Sequence, residues 1–209
     1  MTLQNRVTPF GEIVADPARG TLMGNRGRLH DDQKRIVKQK EKDAWITCRL
    51  QWHGIHRQIM APDSYTELFF LDEATALAAG HRPCNDCRSE RLDAFKRAWA
   101  AGVEGRSGKS TLVSRIDPVL KADRWERSGV QRRYTARAGD LPDGVMVQLP
   151  EEAGIARLKW KGQYFKWSPA GYSRPRTIEE KTTVTVLTPA CTVKVLAAGY
   201  VPEVHATAG

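Results

Sequence analysis

Two cysteines separated by two residues, Cys84 and Cys87, constrain this chain more than any other feature. That spacing lets one metal ion take both sulphurs while a helix begins directly behind the second, which is the knuckle of structural zinc sites. The 209 residues contain only two other cysteines, Cys48 and Cys191. In a reducing compartment such a pair reads as metal or redox chemistry and not as a disulfide framework. A thioredoxin-like redox motif follows a strand directly, whereas here a predicted helix over 73–79, then Gly80 and Pro83, come first. The metal reading is the stronger one.

A closed zinc site needs two more donors. Upstream, the β-rich run WITCRLQW from Trp45 and the run IHRQIM are separated by His53 and Gly54, which predicts a hairpin that Pro62 closes. It offers Cys48, His53 and His56. With a strict two-residue turn, Cys48 shares a face with Trp52, Ile55 and Ile59 while His56 points the other way. A bulged loop reverses the phase and brings His56 round. The donor candidates are Cys48, His56, Cys84 and Cys87, with His53 as the alternative to His56 and His81 also near, so the fourth donor stays open; the expected cofactor is Zn2+.

Flanking signals place the knuckle between two helices. Asp72 is an N-cap candidate for residues 73–79, and Gly80 supplies the stop. After Cys87, the spacing of Leu92, Phe95 and Trp99 predicts an amphipathic helix ending at Gly102, with its apolar face on Ile46, Leu50 and Trp52. A further helix is predicted from Pro118 to about Trp125, capped by Asp117. From Gly144 the short runs VMVQL, ARLKW, YFKW and VTVLT predict antiparallel strands, with a hairpin around Lys161-Gly162. Thr188-Pro189 then opens a last short helix that Gly199 stops.

The reading is an α+β chain: an irregular or extended segment over 1–43, a zinc domain of β-hairpin plus helices over 44–102, a linker with a helix over 103–141, and a small C-terminal antiparallel β unit with a terminal short helix over 142–209. The run FFLDEATALAAGHRPCNDCRSE resembles the zinc-binding domain of Ada-type DNA methyl-phosphotriester repair proteins. The likeness is specific over Leu68 to Glu90 and looser from Trp45. Cys84 and Cys87 then match that family's downstream ligand pair, and Arg82-Pro83 the dipeptide before it. The resemblance implies the Ada-like fold, the zinc and, less directly, DNA binding. The family also carries an upstream Cys-x3-Cys pair, which this sequence lacks. A neutral imidazole in place of a thiolate makes a site less electron-rich, so methyl transfer to Cys48 is not the expected chemistry.

A formal net charge of +9 favours a polyanionic partner, because neutralised phosphates release counterions. Nucleic acid is the expected partner, with DNA the form that the resemblance implies. Arg49, Arg57, Arg82 and Arg88 are the phosphate-contact candidates near the knuckle. Lys159, Lys161 and Lys166, expected outward on the Lys161-Gly162 hairpin with its aromatics inward, are those of the β unit. The basic run from Lys34 to Lys42 reads as a solvated connection.

Other signals carry less. GRSGKST at 105–111 fails as a phosphate loop, because position 103 is Val and no strand precedes it. His30, Asp31 and Asp32 lack a second cluster to complete a hydrolase centre. Cys191 reads as a small buried residue at a helix start. No run approaches the ~18 apolar residues of a membrane span, and the N-terminus lacks a signal-peptide core, so the cytoplasm is the expected location. Two rival functions remain: a metal-dependent nuclease or DNA-repair enzyme with His56 or His81 as base, and a protein-interaction module in which the charge is incidental.

Overall fold

Buried and exposed side chains alternate from the first strand onward, and this pattern builds a sheet well before the cysteines are reached. The computed structural model describes residues 2–54, 58–126 and 130–209. Strands β1 (Gln4–Val7), β2 (Ile13–Ala15), β3 (Leu22–Asn25), β4 (Ile46–Arg49), β5 (Leu68–Phe70) and β6 (Arg82–Pro83) form one sheet in the order β2-β1-β5-β3-β4-β6. Strands β7 (Tyr134–Arg137), β8 (Met146–Gln148), β9 (Arg157–Trp160), β10 (Gln163–Ser168), β11 (Gly171–Arg176) and β12 (Thr183–Val186) form a second, in the order β11-β10-β9-β8-β12-β7. The helices are α1 (Glu73–Ala78), α2 (Ser89–Gly102), α3 (Val113–Arg124) and α4 (Ala190–Ala197). The fold is α+β, with the second sheet antiparallel throughout.

Helix α1 lies between the two sheets. All six of its residues are buried. Ala76 and the adjoining Ala79 pack with Val7, Leu22, Leu68 and Phe70 of the first sheet, while Ala74 and Ala78 pack with Met146, Leu158 and Phe165 of the second. The small side chains let both sheets approach the helix closely, so an alanine run that looks bland in sequence serves two apolar faces. Gly24 on β3 is equally tight: a Cβ there would fall 2.3 Å from the Phe70 ring.

The N-cap of α1 fastens it to the C-terminal part of the chain. Asp72 accepts from the Thr75 amide at 2.8 Å, as predicted, and also from the Tyr172 hydroxyl at 2.8 Å and the His205 amide at 3.0 Å. Burial raises the carboxyl pKa, and these hydrogen bonds act against that rise. Tyr172→Phe removes one donor from a buried carboxylate, and a stability loss of about 1–2 kcal/mol is expected from urea unfolding, read as a lower midpoint at unchanged slope.

Several sequence expectations change here. Strand β4 pairs with β3 on one side and with β6 on the other; residues 55–57, where the predicted hairpin's second strand begins, lie outside the described residues. Phe95 and Trp99 of α2 pack with α3, α4 and the second sheet instead of Ile46, Leu50 and Trp52, and Leu50 is exposed. Helix α3 starts at Val113, five residues before Pro118, because Ile116 and Leu120, four apart, both enter that core. Asp117 therefore caps nothing. The Lys161-Gly162 hairpin does form, joining β9 to β10 with both turn residues at positive φ, 50° and 74°.

Candidate metal centre

Sheet register brings the cysteines together. Strand β6 runs parallel to β4 with Ile46 opposite Arg82 and Thr47 opposite Pro83, and the Cys84 amide donates to the Thr47 carbonyl at 2.9 Å. The next residue on β4 is Cys48, which therefore sits beside Cys84. Cys87 comes back into the same place two residues before α2. The sulphurs of Cys48, Cys84 and Cys87 all lie within 4.8 Å of one another, a group that can hold a metal ion.

Backbone amides complete the sulphur environment. The Asp86 amide donates to Cys84 Sγ and the Arg49 amide to Cys87 Sγ, each at 3.4 Å. A hydrogen bond from the Cys48 thiol is the largest cause that lowers the Cys84 pKa, to about 5. The same bond, followed by burial, pushes Cys48 up, and burial raises Cys87. Three sulphurs this close oppose one another's ionisation. A thiophilic divalent ion resolves that conflict by displacing the remaining protons, so the donor set fits a metal.

Arg88, directly after Cys87, anchors the knuckle from behind. Its guanidinium donates to Thr47 Oγ1 at 2.8 Å, and it pairs with the buried Glu73 at 3.0 Å and with Glu203 at 2.7 Å. Arg82 is also buried and grips Asp117 through two hydrogen bonds of 2.7 and 2.8 Å. Both arginines, expected from sequence as phosphate contacts, are committed to internal ion pairs. Arg49 is exposed, and Arg57 lies outside the described residues.

Among the histidines, His56 lies outside the described residues. His53 is exposed, its ring packs edge-on against Trp52 at 4.3 Å, and it stands outside the sulphur group. His81 is fully buried between the Trp45 and Phe70 rings, and burial, then the charges of Arg26 and Arg124, hold its pKa well below the usual value. Those two arginines stack on Trp45 at 4.1 and 4.4 Å, so His81 belongs to a packed core. His30 bonds Thr66 and Ala61, while Asp31 and Asp32 pair with Arg35 and Arg28.

In the second sheet Lys159 turns inward and donates to the Ala138 carbonyl at 2.7 Å and to that of Leu141, so it is not an outward cation. Lys161 and Lys166 are exposed. Cys191 is buried, its thiol pKa raised by burial, and its amide donates to Asp123. Sequence reasoning did not pick out the cleft beside the sulphurs, which has a volume of about 170 Å³ and includes Met23, Trp52, Tyr65 and Asp86 in its lining. Asp86 was in plain view inside the motif; Tyr65 carried no local signal. No helix among the described residues is long and apolar enough to cross a membrane. No family model, curated protein or solved structure matches the chain.

Proposed function

We propose that this is a zinc-containing, nucleic-acid-binding protein in which the zinc is structural and DNA is the partner. The convergence of three cysteine sulphurs within 4.8 Å carries the metal part of the reading. Zinc is the metal of choice for thiolate-rich sites that open a helix. His56 is the fourth donor in this reading, as the sequence suggests. The Ada-like resemblance over Leu68 to Glu90 and the net charge of +9 support the nucleic-acid part. The exposed cations left to meet phosphates include Arg49, Lys161 and Lys166.

Elemental analysis of the purified protein tests the metal. One zinc per chain is expected, lost in Cys48→Ser and in His56→Ala and retained in His53→Ala. Binding to labelled DNA should then weaken steeply with salt, with a log–log slope of about −0.9 per phosphate neutralised on a duplex. Binding that ignores salt would favour a protein-interaction module.

A second reading rests on the cleft. Three protein donors beside an open cleft of about 170 Å³ is also the layout of a catalytic metal that keeps one position for water or substrate. Full zinc occupancy in His56→Ala, together with metal-dependent cleavage of a nucleic-acid substrate, would favour it.

A further inference from the structure

The cleft beside the sulphurs differs in character from the rest of the basic surface. Cys48, Cys84 and Cys87 themselves line part of it; buried Met23 and half-buried Ile46, Trp52 and Tyr65 make the rest apolar and aromatic, while exposed Arg49 and Asp86 border it. Its volume of about 170 Å³, which includes the space a bound metal would take, falls below the ~300–1,000 Å³ of pockets for drug-sized ligands, so it suits at most a single planar ring system. The Arg49 guanidinium stands 5.9 Å from the centre of the Trp52 ring, and the His53 ring braces Trp52 edge-on. An aromatic ring and a cation thus stand together at the cleft, the pairing on which single-stranded nucleic acids dock.

We propose that this cleft takes one unpaired base of a single-stranded nucleic acid, stacked on Trp52, with an adjoining phosphate on Arg49. The proposal rests on the nucleic-acid reading above and makes it specific. Charge sets the orientation: the Asp86 carboxylate and the thiolate-rich metal end repel phosphate, which leaves the Arg49 side for the backbone. Asp86 can accept a hydrogen bond from a base amine. A paired base inside a duplex cannot enter, so strand separation is part of the recognition.

The test uses the full zinc-loaded chain and fluorescence anisotropy with a short labelled single-stranded DNA and its duplex. Wild type is expected to favour the single strand. Trp52→Ala should weaken single-strand binding about tenfold, with duplex affinity and zinc content unchanged. Trp52→Phe keeps a flat ring and should restore most of the loss. If Trp52→Ala carries its zinc and binds the single strand as tightly as wild type, the cleft does not take a base, while nucleic-acid binding elsewhere still stands. If wild type shows no salt-sensitive binding to either DNA, the cleft assignment and the nucleic-acid reading fall together, and a peptide side chain becomes the better occupant.

Discussion

A Cys84→Ser chain is expected to lose its metal altogether. Cys84 supplies one of the three converging sulphurs, and both the Cys48 thiol and the Asp86 amide donate to it. A serine hydroxyl stays protonated and is a poor ligand for a soft ion, so two sulphurs remain where three converged. Loss of an outer-shell partner alone costs about 10–100-fold in metal affinity, and loss of a direct donor should exceed that. At free zinc about 1,000 times Kd, bound metal adds about 4 kcal/mol to folding, which the variant forgoes. A chelator should therefore lower the melting temperature of wild type and leave that of Cys84→Ser unmoved. Equal chelator sensitivity in both would remove the metal from the account of this fold.

The second large effect lies outside the metal's donor set. Glu73→Ala should destabilise the protein by about 3–5 kcal/mol, the range for stripping one partner from a buried ion pair. Glu73 is fully buried in the first turn of α1, accepts from the Tyr200 hydroxyl at 2.6 Å and the Glu203 amide at 2.8 Å, and pairs with both Arg88 and Arg91. Removing it leaves the Arg88 charge buried beside Cys87, with its remaining carboxylate, Glu203, largely in solvent. Urea unfolding measures the loss. Glu73→Gln, which keeps acceptor capacity but not the charge, should fall between. A shift under 1 kcal/mol for the alanine variant would mean that Glu203 and Thr47 hold Arg88 unaided.

What the sequence disclosed follows the range over which its signals act. Asp72 and Gly80 bracket α1, Leu92, Phe95 and Trp99 mark α2, and Lys161-Gly162 makes its turn, because each signal acts within a few residues. The approach of Cys48 to Cys84 depends on a parallel β4 and β6 pairing across 36 residues of chain, which no local pattern announces. The outward roles first given to Arg82 and Arg88 failed for the same reason. Their carboxylate partners, Asp117 and Glu73, lie 35 residues after one and 15 before the other. Lys159 sits in a clean alternation, yet its ammonium finds two carbonyls at the end of the sheet and stays there.

The position of α1 bears on how such a chain can change over generations. A helix with one apolar face can be lost, exchanged or spliced along with the sheet it covers, because the other side meets only water. Here both faces are spoken for, and the turn that caps the helix is tied to Tyr172 and His205 near the far end of the chain. The cysteine knuckle therefore does not behave as a cassette that recombination could lift out and set down elsewhere. A larger side chain in that alanine run would push the helix against the opposite sheet, so the packing of one half is coupled to that of the other.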